Sequence, residues 1–169
     1  MPDAFHAIVI MGVSGVGKTA IAEALAKRRG WTFVDGDAFH PASNVEKMRR
    51  GTPLKDDDRW PWLRAIAAEI DRQRPGPRPI VIACSALKRA YRKILTDGRP
   101  GVKLVYLQGG RELIMSRLQL RQGHYFPASL LDSQFAALEE PEPAERALVI
   151  AIDKSIDAIV DEIVQTLNS

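Results

Sequence analysis

Eight consecutive residues, Gly12-Val13-Ser14-Gly15-Val16-Gly17-Lys18-Thr19, combine three glycines, a lysine and a hydroxyl in a fixed order. Glycines let the main chain turn tightly enough for successive N–H groups to point at one anion. A helix starting at Lys18 adds the positive end of its dipole to the same point. Lys18 then reaches the β- and γ-phosphates of a nucleotide, and the Thr19 hydroxyl is placed to hold Mg²⁺. The spacing is the P-loop pattern GxxxxGK[ST] in full. It predicts a nucleotide with Mg²⁺, with Gly12 to Thr19 as the cradle for its phosphates.

A phosphate cradle of this kind needs an acidic group for the metal, commonly at a strand end. The apolar run Ile80 to Cys84 ends in Cys84-Ser85 and supplies none, whereas Asp35 and Asp153 both follow strand-like runs. Asp153 lies just before Ser155 and reads equally well as a helix-capping residue. The pair Asp35-Gly36-Asp37 is the better candidate. Alternate residues of an extended or tight-turn backbone can face one side, so one carboxylate serves the metal while the other takes the proton of an attacking hydroxyl.

The rest of such a site must describe the acceptor, which in-line transfer requires to be held in place. His40, with Asn44 nearby, can hydrogen-bond hydroxyls, and Arg59 closes the acidic run Asp56-Asp57-Asp58. Lys88 and Arg92 are four residues apart and would share a helix face. An anion between them explains that spacing, and so does a solvated basic helix that also carries Arg89 and Lys93. Arg117 and Arg121 repeat the spacing before Gly123-His124-Tyr125-Phe126-Pro127. They are placed either to close over phosphates as a lid or to form the polar face of an ordinary amphipathic helix.

These residues need a scaffold, and the chain alternates strand and helix signals. Ile8 to Met11, Trp31 to Val34, Ile80 to Cys84, Lys103 to Leu107 and Ala147 to Ile152 read as strands. Between and after them, helices are expected at Lys18 to Arg29, from an Asp58 cap with Pro61 in the first turn, and at Leu87 to Leu95, Glu112 to Gln122 and Leu130 to Leu138. A last one follows a Ser155 cap. Pro41 to Leu54 is polar and only weakly periodic. Strands separated by helices form a parallel sheet covered on both faces, with ligands at the strands' carboxyl ends. Each motif above falls just after an expected strand.

Composition narrows the classes further. The 169 residues suit one domain, with 46% hydrophobic and 27% charged residues, so the chain is not of the disordered kind. A net charge of +3 suits anionic small molecules but marks no basic patch for nucleic acid. The single cysteine, Cys84, argues for a reducing compartment. Neither a membrane span nor a secretory leader is expected, so a cytoplasmic location is. No LSGGQ-like stretch or guanine-reading Asn/Thr-Lys-x-Asp occurs, which leaves a small-molecule kinase.

Taken together, the blocks resemble the gluconokinase family. The likeness runs through Gly12 to Thr19, Asp35 to Pro41, Asn44 to Met48, Gly51 to Arg59, Pro61-Trp62-Leu63, Cys84 to Lys88 and Tyr91-Arg92. It resumes at Arg117-Leu118, Arg121, Gly123 to Phe126, Gln134-Phe135 and Leu138-Glu139. Thr19 stands for the more familiar Ser, and Tyr125 where Phe is usual. The resemblance implies ATP-dependent phosphorylation of D-gluconate at its 6-hydroxyl, usually by a homodimer. It implies an α/β, nucleoside-monophosphate-kinase-like P-loop fold: three layers, a five-stranded parallel sheet and a lid. Within one domain over 1–169, the substrate-binding segment would span about 38–75 and the lid about 117–130.

By matching position, Asp37 would face the substrate hydroxyl and Asp35 the metal through water. Arg59, Lys88, Arg92 and His40 would take the gluconate carboxylate and hydroxyls. Arg117 would stack on adenine, and Arg121 would reach the phosphates. A shikimate kinase would be expected to carry Gly-Gly-Gly where Ser85-Ala86-Leu87 stands, and an adenylylsulfate kinase an Arg at His40. A nucleotide-binding regulator would be expected to lack Lys18, Asp35 or Asp37, and all are present.

Overall fold

The computed structural model describes residues 5–120 and 128–168. The chain runs β1 (Ala7–Met11), α1 (Lys18–Arg29), β2 (Thr32–Asp35), a 3₁₀ turn (Gly36–Phe39), α2 (Ala42–Arg49), α3 (Asp56–Gln73), β3 (Ile80–Ala83) and α4 (Arg89–Thr96). It continues with β4 (Val102–Gln108), α5 (Arg111–Leu120), α6 (Ala128–Ala137), a 3₁₀ turn (Pro143–Glu145), β5 (Leu148–Ala151) and α7 (Ile156–Leu167).

The strands form a five-stranded sheet in the order β2-β3-β1-β4-β5, every neighbouring pair parallel. All of β1 is buried, as an unbroken apolar run in a covered parallel strand should be. Its alternate residues feed two cores. Ile8 and Ile10 pack with Ile21 and Leu25 of α1 and Ile159 and Ile163 of α7. Val9 and Met11 pack with Leu63, Ile66 and Ile70 of α3 and Leu95 of α4. The three layers follow from that period of two.

Strand order reverses at β1, which lies between β3 and β4. The loop after β1 therefore opens into the crevice where ligands of such sheets bind. Gly30 ends α1 in the left-handed region at φ 69, and Ser155 Oγ caps α7 by accepting from Ala158 N–H at 3.1 Å.

Three local expectations are corrected. The N-cap of α3 is Lys55; Asp58 instead folds back from the first turn, its Oδ2 accepting from Lys55 N–H at 2.9 Å. Pro61 consequently sits inside the helix rather than in its first turn. The weakly periodic segment after Pro41, for which no element was expected, forms the helix α2, braced by Arg50 Nε donating to Glu46 at 2.9 Å. Finally, α4 begins at Arg89, with Lys88 its extended N-cap residue at φ −101 and ψ 147. Lys88 and Arg92 therefore do not share a helix face. Among the described residues no helix is long and apolar enough to cross a membrane.

Candidate active site

The loop between β1 and α1 takes its shape from glycines. Gly15 lies at φ 87 and Gly17 at φ 97, where side chains are strained. A Cβ on Gly15 would also meet Leu118 Cγ at 2.7 Å. Lys18 Nζ donates to Gly12 O at 2.9 Å and Val13 O at 3.0 Å, so its ammonium stays in the bend. Burial pulls its pKa down to about 8, although Asp37 and, after it, Cys84 act in the opposite direction. Gln134 of α6 ties the loop down: Ser14 N–H donates to its Oε1 at 2.6 Å, and its Nε2 donates to Ser14 Oγ at 2.7 Å.

The acidic turn follows β2 at the same end of the sheet. Asp35 Oδ1 accepts from Asp37 N–H at 3.0 Å, which curls the turn so that both residues line one cleft with Lys18 and Thr19. Gly36 cannot carry a side chain here, because its Cβ would stand 2.4 Å from Ala83 O of β3. Trp62 of α3 donates Nε1–H to Gly36 O at 2.8 Å and stacks on His40, with ring centroids 4.2 Å apart and 13° between planes. His40 has a lowered pKa, first through burial; Asp37 opposes the shift and Arg59 adds to it.

The cleft, about 280 Å³, is also lined by Ser14, His40, Arg59, Tyr91 and Gln134. Arg59 Nη1 donates to Leu54 O at 2.9 Å and to Tyr91 Oη at 3.3 Å. Lys88 Nζ donates to Asp56 Oδ1 at 3.2 Å and lies 5.7 Å from the Tyr91 ring centre. Tyr91 Oη donates to Asp56 as well. The bonds from Tyr91 and then Lys88 hold the Asp56 carboxyl below its usual range. Burial and the Asp56 bond push the Tyr91 phenol up to about 12.

Arg92 is the clear departure. It is 0% exposed. Its Nε and Nη2 grip Glu145 at 2.6 and 3.2 Å, and Nη1 donates to Ala86 O and Leu87 O at 2.9 and 3.0 Å. Glu145, in the 3₁₀ turn before β5, takes the charge that an acceptor anion was expected to take. Arg92 braces the loop behind the cleft and does not line it.

Arg117 lines a second cleft, on the far side of the loop, with Gly15, Gly17, Lys154, Ser155 and Ile159; its Nη2 donates to Ile152 O at 2.7 Å. Arg121 lies outside the described residues, as does much of the expected lid. Cys84 is fully buried and its thiol is pushed up to about 12, first by burial, which keeps it protonated.

Mg²⁺ is tested by the donors at hand. Thr19, Asp35 and Asp37 bring only oxygens to one cleft, and among the described residues no group of three or more His, Cys, Asp or Glu could cage a metal. That set fits Mg²⁺, which binds through one or two carboxylates, substrate phosphates and water.

Sequence reasoning missed the working parts of Asp56, Trp62, Tyr91 and Gln134. Asp56 stood in a run that suited a helix start, Trp62 in an apolar stripe, and Tyr91 and Gln134 only within family-like blocks.

Residues 8–141 match the family model described as an AAA domain. The thermoresistant gluconokinase of Escherichia coli K12 is 41% identical, the alignment covering 96% of this chain and 93% of that protein. The gluconokinase of Gluconobacter oxydans is 43% identical over 94% of this chain and 89% of its own. The crystal structure of a gluconokinase from Sinorhizobium meliloti superposes with a TM-score of 0.86 at 41% identity, covering 96% of this chain and 91% of that one.

Proposed function

The chain belongs to the gluconokinase family, and on that premise we propose that it phosphorylates D-gluconate at the 6-hydroxyl with ATP. The products are 6-phospho-D-gluconate and ADP. The observation that carries this reading is the meeting of Lys18, Thr19, Asp35, Asp37, His40 and Arg59 in one cleft at the carboxyl ends of the strands.

In the proposed reaction the 6-hydroxyl oxygen attacks the γ-phosphorus in line, and the bond to the bridging oxygen breaks. ADP leaves with that electron pair, and Asp37 takes the hydroxyl proton. Lys18 neutralises charge on the β- and γ-phosphates, for which its place against Gly12 O and Val13 O suits it. Thr19 and Asp35 would hold Mg²⁺, Asp35 through water; when bound, the ion offsets charge on the phosphate oxygens. His40, Arg59 and Lys88 form the acceptor's polar surroundings. Arg92 is left out of that set, because its donors are committed to Glu145, Ala86 and Leu87. Arg117 borders adenine in the second cleft, and Arg121 reaches the phosphates from the lid. The setting proposed is a homodimer in a reducing cytoplasm, which the single buried cysteine suits.

The test is Mg-ATP turnover against D-gluconate, shikimate, adenylylsulfate, other sugar acids and hexoses. Activity confined to gluconate, with 6-phosphogluconate as product, is expected. Preference for another acid would reject the acceptor assignment and keep the kinase. ATP binding without turnover of any acceptor would leave a nucleotide-binding regulator.

A further inference from the structure

Asn44 is a buried polar residue, 1% exposed, on α2 outside the cleft lining. Its Nδ2 lies 2.7 Å from Asp58 O and 3.1 Å from His40 Nδ1. A main-chain carbonyl can only accept, so the amide atom facing Asp58 O is the nitrogen, which carries two hydrogens. The same nitrogen faces His40, so Nδ1 must be the accepting nitrogen of the ring. The ring proton is then on Nε2. Trp62, stacked on the imidazole at 4.2 Å and anchored to Gly36 O, restrains the ring's rotation.

We propose that Asn44 is a positioning residue for the acceptor: it fixes His40 as the Nε2–H tautomer, so that the ring donates one hydrogen bond to an oxygen of the sugar acid. The identity of that acceptor rests on the gluconate reading above; the tautomer does not. His40 lines the cleft, and among the described residues its Nε2 has no protein partner. The charged groups around it are Asp37, which favours a second ring proton, and Arg59, which with burial opposes it. The nearby Lys47 and Asp58 pair with each other at 2.7 Å. The result is a neutral ring that is a donor toward the cleft. With a proton on Nδ1 instead, Nε2 could only accept, and a substrate hydroxyl would have to turn its own hydrogen to it.

The experiment uses the full chain labelled with ¹⁵N, and two-bond ¹H–¹⁵N spectra that separate the two tautomers. His40→Gln identifies the signals. Wild type is expected to show the Nε2–H form near neutral pH. Asn44→Asp, which replaces the donor by an acceptor, is expected to move the proton to Nδ1, read at a pH high enough for the ring to be neutral. It should also raise the gluconate KM about tenfold, the worth of one hydrogen bond, with the ATP KM unchanged. In the His40→Gln background the same substitution should change the gluconate KM by less than about twofold, because its effect passes through the ring. An Nδ1–H ring in wild type overturns the proposal even if Asn44→Asp fails to fold. So does an equal KM effect in both backgrounds. If wild type does not turn over gluconate, the function reading fails, while the spectrum still decides the Asn44–His40 assignment.

Discussion

Lys18 holds its proton less firmly than an exposed lysine does, with a pKa near 8 because burial penalises the charged form. Nucleotide phosphates beside it would favour the charge and raise the value again. Below that pKa the ammonium is present with or without nucleotide, so binding takes up no proton. Above it the free protein holds a neutral amine and the complex an ammonium, so binding takes up a proton and affinity falls as pH rises. Calorimetry of Mg-ATP binding at about pH 9, in buffers of different ionisation heat, should show uptake approaching one proton; Lys18→Met should abolish it. Equal heats in all buffers with wild type would remove this account of Lys18. Asp37 supports the Lys18 charge and is the proposed base. Asp37→Asn is expected to cut kcat by about 10²–10⁴ with ATP binding retained. Near-normal turnover would take the base role from it.

At the level of elements, the loop Cys84 to Lys88 is held from behind. Arg92 on α4 joins two of its carbonyls to Glu145 in the turn before β5, while Ala86 stands at φ 45, a left-handed position for a residue with a side chain. Arg92→Met leaves those carbonyls and a largely buried carboxylate without their partner. Removing one member of a buried pair costs about 3–5 kcal/mol, so urea unfolding should show a stability loss of that order. A contact to gluconate alone would instead raise KM at unchanged stability. This arrangement was hidden in the sequence, since Arg92 and Glu145 are separated by 53 residues and a four-residue spacing from Lys88 suggested a shared face. Asp56 and Tyr91, 35 residues apart, were hidden in the same way. The phosphate loop and the acidic turn were legible because their chemistry is contiguous: each lies within a few residues and directly follows a strand. The strands were legible for a related reason, as buried parallel strands read as apolar runs. Helix starts were less so. The run Asp56-Asp57-Asp58 satisfies the helix dipole in more than one register, and only the bond from Lys55 N–H to Asp58 fixes it.

For the molecule as a whole, two clefts lie on either side of the reversal of strand order at β1, one for each substrate in the proposed reaction. The acidic turn, His40 and Arg59 come from the β2 and β3 side, and Arg117 with Ser155 and Ile159 from the β4 and β5 side. The loop bearing Lys18 is the only stretch that both clefts touch among the described residues: Ser14, Lys18 and Thr19 face one, and Gly15, Val16 and Gly17 the other. Arg59 is bonded to Leu54 and Tyr91, and Arg117 to Ile152, so among the described residues the two share no hydrogen-bond partner. Sites without shared partners add in free energy to within about 0.5 kcal/mol. Arg59→Ala should therefore raise the gluconate KM and leave the ATP KM alone, and Arg117→Ala should do the reverse. In the double variant the losses should multiply to within about a factor of two. Steady-state kinetics with both substrates varied measures this directly. A double variant much less impaired than that product would mean that both arginines act on one closing motion; additive losses would mean that the central strand carries two independent half-sites on a shared phosphate loop.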